Sequence, residues 1–394
     1  MSELAIPAPT GDAATVADDG ATDAVTALAE KNAKIEEALG FALMANPESV
    51  SVLLQMGDHM AAQDRGAEAA DWYRAALEVK PEHADALVKL GTLLHWYPAF
   101  QEEAITLLQR AVAQDATLVA AYGPLASSLA YSGRSEEAVV VLRAWCAAAP
   151  LDAAATHMLA AHSHEQVPDR ANDAFVQKTF DQGAEQFDVL LRDTLQYRAP
   201  EALMAHLEQV LPDVMRLAAS SLDILDVGCG TGLAAAILKP HARRLVGVDL
   251  SPKLLAKAGA LALYDELATA ELTAYLAACD GEFDVLFAAD TLVYFGRLDD
   301  VFTNAFAALR PGGCLGFTVE RLPDATGSPA TPGFVLTATG RYQQSERYVR
   351  EALERAGFAA PHIIETQLRV EQNAPVIGLV VVAVKPENPA KVQA

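Results

Sequence analysis

Three glycines at alternate positions, Gly228, Gly230 and Gly232, follow directly on the apolar run "ILDV". Glycine lets a backbone turn sharply and lets it approach a ligand with no Cβ in between. Ligands of open α/β sheets bind beyond the carboxyl ends of the strands, where the chain crosses into a helix. The spacing therefore predicts a ligand-binding loop at the end of a first strand.

The position of the third glycine distinguishes between nucleotide ligands. A dinucleotide fingerprint, G-x-G-x-x-G, would need glycine where this chain has Leu233. A second apolar run, "LVGVD", ends at Asp249. It lies about 20 residues after the first glycine, where a carboxylate accepts from ribose hydroxyls. The sequence thus predicts a nucleoside cofactor without a pyrophosphate clamp.

The elements around this loop alternate between strands and helices from about residue 221 onward, which predicts a parallel, doubly wound sheet. No helical pattern separates the last two strands, so they should pair as an antiparallel hairpin at one edge. The predicted strands are Asp223–Val227, Arg244–Asp249, Glu266–Glu271, Phe283–Ala288, Cys314–Glu320, His362–Arg369 and Val376–Val384. The helices between them include Gly232–Leu238, Pro252–Ala260, Asp299–Leu309 and Tyr348–Ala356.

The N-terminal half has a different pattern, a helical repeat of about 35 residues between residues 35 and 165. The small residues Ala69, Ala104 and Ala138 occupy equivalent places in three copies. This period is typical of tetratricopeptide (TPR) repeats, in which each copy is a pair of helices and small residues allow close approach. The alternative is a generic helical bundle. A TPR stack would offer a concave face to a partner.

Composition limits the function classes. The chain has 394 residues and a formal charge of −23, so it should repel nucleic acids and anionic membranes. No apolar run reaches the roughly 18 residues of a membrane span. The four cysteines form neither a disulfide framework nor a metal-ligand spacing, which indicates a reducing cytoplasm. His157, His162 and His164 have no converging carboxylates, so we predict no metal site.

The quoted motifs, taken in order, resemble one family. Residues of about 175–385 are similar to class I S-adenosylmethionine-dependent methyltransferases, and in particular to bacterial ones with N-terminal TPR repeats. The resemblance rests on "FDQGAEQFD", "LQYRAPEAL", "ILDVGCGTG", "GVDLSPKLLAKA", "YDELATAEL", "AADTLVYFG", "ALRPGG" and "TGRYQQSERYVR". It implies a Rossmann-like domain with a seven-stranded, mostly parallel sheet, preceded by an all-α TPR domain. The expected division is a disordered acidic tail at 1–30, a TPR domain at 31–170 and a methyltransferase domain at 171–394.

The resemblance also implies which residues bind S-adenosylmethionine, with S-adenosylhomocysteine as the product. The loop and the acid before it should bind the methionine end, and Asp249 the ribose hydroxyls. Leu250 should pack beside the adenine. The residues expected at the methionine end are Asp226, Gly228, Cys229, Gly230 and Gly232.

Other implied contacts lie at the ends of the third and fourth strands. Glu271, where the family usually has Asp, should accept from the adenine amino group, and the Leu272 amide should face an adenine ring nitrogen. Asp290 and Thr291 should lie beside the methionine part and face the acceptor pocket. The segment Phe180–Arg198 is expected to close over the site.

The resemblance does not identify the general base that some methyl acceptors need. Candidates at strand ends are Tyr294, Glu320 and Tyr342, while Arg321 and Arg341 could bind an anionic acceptor. The chain departs from the family at two places: Gly183 stands where Tyr is usual, and Gln344 where His is frequent. These departures put a closing tyrosine and a histidine base in doubt.

Three function hypotheses remain open at this point. The first is a methyltransferase of a small metabolite or natural-product intermediate. The second acts on a protein or peptide docked on the repeats, and the third is a non-catalytic scaffold that binds the cofactor. "AADTLVYF" stands where enzymes that methylate base amino groups have [N/D]-P-P-[Y/F], so nucleic acid is not expected as substrate. Neither the acceptor atom nor the oligomeric state follows from the sequence.

Overall fold

The structure, a computed structural model, describes residues 19–184, 187–189, 191, 195–211, 220–323, 333–371 and 374–387. The chain divides into two compact units, Met1–His162 and Ser163–Ala394. The division lies before the predicted boundary at residue 170.

The first unit is helical. Its first helix begins at Asp19, so the prediction of a disordered tail over 1–30 is wrong for residues 19–30, and residues 1–18 lie outside the described residues. The reason is local, because this run is rich in alanine, the strongest helix former. The helices are Asp19–Ala45, Val50–Ala61, Gly66–Val79, Ala84–Leu94, Gln101–Gln114, Tyr122–Tyr131, Ser135–Ala148 and Ala153–Ser163, with 3₁₀ turns at Pro98–Phe100 and Val119–Ala121.

Small residues lie where these helices pack, as the repeat predicts. Ala69, Ala104 and Ala138 are fully buried. A Cβ added to Gly57 would lie 2.3 Å from the ring of Tyr73 on the next helix. Close approach of consecutive helices therefore depends on these positions. Assignment of the helices to the TPR family stays a prediction.

The second unit is built on one mixed sheet, as predicted, with helices on both faces. Its strands are β1 Leu222–Val227, β2 Ala242–Asp249, β3 Glu266–Thr269, β4 Phe283–Ala288, β5 Leu309–Arg321, β6 Phe334–Leu336, β7 Tyr342–Gln344, β8 His362–Glu371 and β9 Ala374–Val384. Among the described residues the sheet thus has nine strands rather than the predicted seven, in the order β3-β2-β1-β4-β5-β7-β6, with β9 beside β5 and β8 beside β9. The additional strands β6 and β7 have three residues each and are too short to predict from the sequence.

The parallel direction of the strands places the loops that follow β1, β2, β4 and β5 at the same end of the sheet. Neighbouring strands from β3 to β5 run parallel, so the carboxyl ends of β1, β2, β4 and β5 lie together. The predicted hairpin is confirmed, since β8 and β9 pair antiparallel and β9 also pairs antiparallel with β5. The helices of this unit are Asp173–Gly183, Phe187–Val189, Ala199–Val210, Ala235–Leu238, Pro252–Ala260, Leu272–Ala277, Asp299–Ala308 and Glu346–Ala356, with a 3₁₀ turn at Leu292–Tyr294.

Alternation along the strands produces one core on each face of the sheet. Leu225 and Val227 of β1 pack into one hydrophobic cluster, whereas Ile224 packs into the other. All six residues of β1 are buried, as expected for a central parallel strand. No helix in the described part of the chain is long and apolar enough to cross a membrane.

Candidate cofactor and acceptor site

The glycine loop after β1 has the conformation that its sequence predicts. Gly228, Gly230 and Gly232 have φ values of +70°, +56° and +87°, which side chains with a Cβ rarely adopt. A Cβ at Gly228 would lie 2.4 Å from the side chain of Thr291, whose hydroxyl donates to the carbonyl of Val227 at 2.8 Å. Thr291, which follows β4, therefore lies directly against the loop.

Asp249 at the end of β2 is fixed beside the same loop. Its carboxylate accepts from the amide of Gly230 at 2.9 Å and from the amide of Ser251 at 2.8 Å. Burial raises the pKa of Asp249, while these backbone hydrogen bonds oppose the rise. Each carboxylate oxygen retains a lone pair, so both can accept from a pair of ligand hydroxyls.

Asp226 lies beneath the loop and is only 2 % exposed. Its carboxyl accepts from the Tyr264 hydroxyl at 2.7 Å, a partner that the sequence did not predict. Burial raises the pKa of Asp226 to about 7, against the lowering effect of that hydrogen bond. Cys229 is buried in the same region, and its Sγ would lie 2.9 Å from a Cβ at Gly247.

Glu271 caps a helix, a structural role that the sequence did not predict. Strand β3 ends at Thr269, and Glu271 is the N-cap of the next helix, where its carboxylate accepts from the amides of Thr273 at 3.0 Å and Ala274 at 2.9 Å. Leu272 is buried at the first position of that helix, and Leu250 is half-buried after β2. Contact of these residues with adenine stays a prediction.

Residues of the segment before the sheet contact the glycine loop and the residues after β2, and closure of the segment over the site stays a prediction. The Ser251 hydroxyl donates to Asp181 at 2.6 Å, and the Thr231 hydroxyl donates to Asp188. The ring of Phe180 makes edge contacts with Phe187 and Tyr294, each at 5.6 Å between centroids. Residues 185, 186, 190 and 192–194 of the predicted closing segment lie outside the described residues. No atom of the described residues lies within 4 Å of a Cβ added to Gly183.

A buried ion-pair network adjoins the loop at the ends of β4, β5 and β8. Arg369 is 2 % exposed and contacts three carboxylates: Asp290 at 2.8 and 2.9 Å, Glu371 at 2.6 Å, and Glu320. Arg341 donates to Glu320 at 2.8 Å and also contacts Glu371. Although burial disfavours its charged form, these two arginines lower the pKa of Glu371.

This network corrects the predicted role of Glu320. Its carboxylate accepts from two guanidinium groups and is buried, so it stabilises charge rather than removing a proton. Asp290 is likewise paired with Arg369, in a backbone conformation with φ +58°, and burial raises its pKa against the effect of Arg369. Arg341 is neutralised by the same carboxylates, and Arg321 pairs with Glu365 at 2.7 Å. Neither arginine is available for an anionic acceptor in this arrangement.

Tyr342 is also wrong as a catalytic candidate. It is fully buried, and its hydroxyl donates to the carbonyl of Pro168 at 2.8 Å. Gln344 is equally buried and donates to the carbonyl of Phe295 at 2.5 Å, so the residue at the frequent histidine position is structural here.

Tyr294 alone of the three candidates stays available for acceptor contact. Its side chain is half-buried, and its hydroxyl makes no hydrogen bond to a residue that the structure describes. Burial raises the pKa of this phenol, so the hydroxyl keeps its proton near neutral pH and can donate a hydrogen bond.

The sequence missed Tyr264, Arg369 and Glu371. For the last two the signal was slight: Arg369 ends the predicted strand and Glu371 lies two positions beyond it, so both share one face only because the strand continues to Glu371. Within the described parts of the chain no group of three or more potential ligands could bind a metal ion.

Comparison with known proteins finds methyltransferases that are similar to the second unit. A family model described as a methyltransferase domain matches residues 224–313. Human methyltransferase-like protein 27 is 39% identical over 134 residues, which are 32% of this chain and 51% of that protein. Malonyl-[acyl-carrier protein] O-methyltransferase of Enterobacter lignolyticus is 29% identical over 133 residues, or 33% of this chain and 49% of that protein. The chain thus spans about half the length of the curated relatives that it matches.

Solved structures are similar over part of the chain. The 1,6-didemethyltoxoflavin-N1-methyltransferase of Burkholderia thailandensis, solved with S-adenosylhomocysteine, has a TM-score of 0.41 and 18% identity. The similarity covers 54% of this chain and 87% of that one.

Proposed function

We propose, on the premise that residues 224–313 are a methyltransferase domain whose cofactor is S-adenosylmethionine, that this chain methylates a small molecule at an oxygen atom. The observation that carries the proposal is the hydrogen bond from the Gly230 amide to Asp249. It holds the glycine loop beside a carboxylate that can accept hydrogen bonds from ribose hydroxyls.

The described residues fit this cofactor. Among the described residues, a Cβ at Gly230 would have only Phe187 and Leu254 within 4 Å, at 3.8 and 4.0 Å, which leaves room there for a ligand. Asp249 would bind the ribose hydroxyls, and the loop from Gly228 to Gly232 the methionine end. When bound, the cofactor supplies a sulfonium-activated methyl group.

The remaining work of the protein is alignment. Transfer from a sulfonium to a nucleophile is an in-line displacement, for which correct orientation supplies much of the rate. The rings of Phe180 and Phe187 exclude water on one side of the loop, and Tyr294 can donate to the acceptor.

An oxygen acceptor is supported by the names of two relatives. One is the malonyl-[acyl-carrier protein] O-methyltransferase, and the other is the ubiquinone biosynthesis O-methyltransferase of Thiobacillus denitrificans, 35% identical over 102 residues, or 24% of this chain and 43% of that protein. Because the chain matches about half of each, their substrates do not transfer directly.

The proposal also includes TPR repeats in the first unit and a reducing bacterial cytoplasm as its location. Fully buried small residues between consecutive helices support the repeats, and four free cysteines support the compartment. The packed helix pairs favour a second candidate acceptor, a protein or peptide bound by the repeats.

Labelled S-adenosylmethionine distinguishes the two acceptors. The protein and its Asp249→Ala variant are incubated with a lysate of the source organism, which is then separated into small-molecule and macromolecular fractions. Label in the small fraction, absent with the variant, is expected. Label confined to a discrete protein band would replace the proposal by the second candidate, and no label in either fraction would contradict both.

A further inference from the structure

The acceptor side of the site combines aromatic rings with an excess of negative charge. Phe180, Phe187 and Tyr294 are each half-buried and form a continuous set of edge contacts beside the glycine loop. Phe187 approaches the loop most closely, at 3.8 Å from a Cβ on Gly230. We call these three residues the aromatic wall.

The aromatic wall favours a flat ligand. Its rings meet edge to face, with interplanar angles of 80° and 81° between Phe180 and its two neighbours. Such an arrangement places ring faces and ring edges side by side, and aromatic ligands bind to both. The Tyr294 hydroxyl lies within the wall. It can donate a hydrogen bond to a hydroxyl of the ligand or accept one from it.

Charge beside the wall excludes an anionic ligand. The network next to it has three carboxylates, Asp290, Glu320 and Glu371, but two guanidiniums, Arg341 and Arg369, so its net charge is negative. The members that retain some exposure are Asp290 at 18%, Arg341 at 20% and Glu371 at 23% of the side chain. To bind a carboxylate or phosphate of the acceptor, Arg341 would have to leave Glu320 and Glu371. These two carboxylates would then lose a partner while partly desolvated, which is unfavourable.

We propose that the acceptor is an uncharged aromatic hydroxyl, of the phenol or catechol class, bound between the aromatic wall and the ion-pair network. This inference rests on the proposed function and narrows its substrate to one class. The acceptor oxygen forms its bond to the methyl carbon as the carbon–sulfur bond breaks, and the electron pair of that bond stays on sulfur in S-adenosylhomocysteine. The hydroxyl proton passes to water, because each carboxylate of the network is already bonded to a guanidinium.

Three probes that differ in one property at a time test the class. Calorimetric titration with S-adenosylhomocysteine comes first, followed by catechol, 3,4-dihydroxybenzoate and trans-1,2-cyclohexanediol. The benzoate adds a negative charge to the catechol ring, and the cyclohexanediol retains the hydroxyls without the aromatic ring. We expect catechol to bind about tenfold more tightly than either.

Two variants locate the site. Phe180→Leu should weaken catechol about three- to tenfold with no change in S-adenosylhomocysteine affinity, while Phe41→Leu, in the exposed part of the first unit, should change neither. Glu371→Gln should raise the affinity for the benzoate relative to that for catechol, because it removes one negative charge from the network.

The outcomes separate this inference from the proposed function. Binding of the benzoate as tight as that of catechol, equal binding of the cyclohexanediol, or no catechol binding to the S-adenosylhomocysteine complex would each overturn the aromatic acceptor and leave the methyltransferase intact. Failure of S-adenosylhomocysteine itself to bind would overturn the proposed function instead.

Discussion

Arg369 Nη1 lies 2.8 Å from Asp290 Oδ1 and 2.9 Å from Asp290 Oδ2, although the two residues are 79 positions apart. Arg369 is on β8, and Asp290 follows β4. The contact therefore fixes the C-terminal hairpin to the loop that carries Thr291 and Tyr294. We regard Arg369 as a positioning residue, because it touches its neighbouring carboxylates and not the reacting atoms.

Replacement of Arg369 should destabilise the second unit strongly. Arg369→Met leaves three carboxylates with a single guanidinium, and removal of one partner from a buried pair costs about 3–5 kcal/mol. Arg355→Met is the matched control, since its pair with Asp299 at 2.7 Å is largely exposed and should contribute about 1 kcal/mol or less. Urea unfolding measures both, and equal losses would show that the network is not a buried one.

Gly230→Ala should weaken the cofactor rather than merely strain the backbone. Its Cβ would enter the space beside Asp249, so we expect the dissociation constant of S-adenosylhomocysteine to rise about tenfold or more. Gly133→Ala controls for strain, because Gly133 has φ +75° and no atom within 4 Å of an added Cβ. Both variants should lose about 1–3 kcal/mol of stability. Unchanged affinity in Gly230→Ala would remove the loop from the site.

Substitutions of Tyr294 and Tyr342 should affect different properties, the rate of methyl transfer in the first case and protein stability in the second. Tyr294→Phe should lower kcat about tenfold or more at unchanged S-adenosylhomocysteine affinity, since it removes a donor to the acceptor. Tyr342→Phe should instead lower the free energy of unfolding by about 1–2 kcal/mol, because it removes the hydrogen bond from the buried Tyr342 side chain to the carbonyl of Pro168. Both are measured with the acceptor that the labelling experiment isolates. A full-rate Tyr294→Phe would leave this chain without an assigned acceptor contact.

The buried carboxyl of Asp226 should give the cofactor-free protein a defined pH dependence. Its pKa is raised from 3.8 to about 7, so the folded state retains a proton that the unfolded state has lost. The stability from this group is complete below pH 3.8 and is lost as the pH rises through about 7. At pH 8, Asp226→Asn should therefore be more stable than the parent by on the order of 1–3 kcal/mol, with a smaller difference at pH 5. Unfolding curves that differ equally at both pH values would contradict the shift.

Local features of the sequence predicted the fold and the cofactor loop. Gly228 to Gly232 and Asp249 follow apolar runs directly, and a strand end followed by a glycine turn is decided within a few residues. The short strands β6 and β7 gave no such signal, because three residues carry too little alternation.

The acceptor side depends on pairing between distant elements. From the sequence, Glu320 is a candidate base. In the fold, β9 pairs with β5 and β8 with β9, which places Arg369 against Glu320, and Arg341, the residue before β7, also binds it. Tyr342 ends against Pro168 for the same reason, at a separation of 174 residues. The pairing of strands across the sheet therefore decides which of these side chains can contact an acceptor, and the local sequence pattern does not show this pairing.

Titration of S-adenosylmethionine into the parent protein and into Asp249→Ala tests whether the glycine loop and Asp249 bind the cofactor. We expect measurable binding to the parent and about 10- to 100-fold weaker binding to the variant, because the variant loses hydrogen bonds to a charged group, with the circular dichroism spectrum unchanged. Equal affinities in the two proteins, or no binding by the parent, would contradict it.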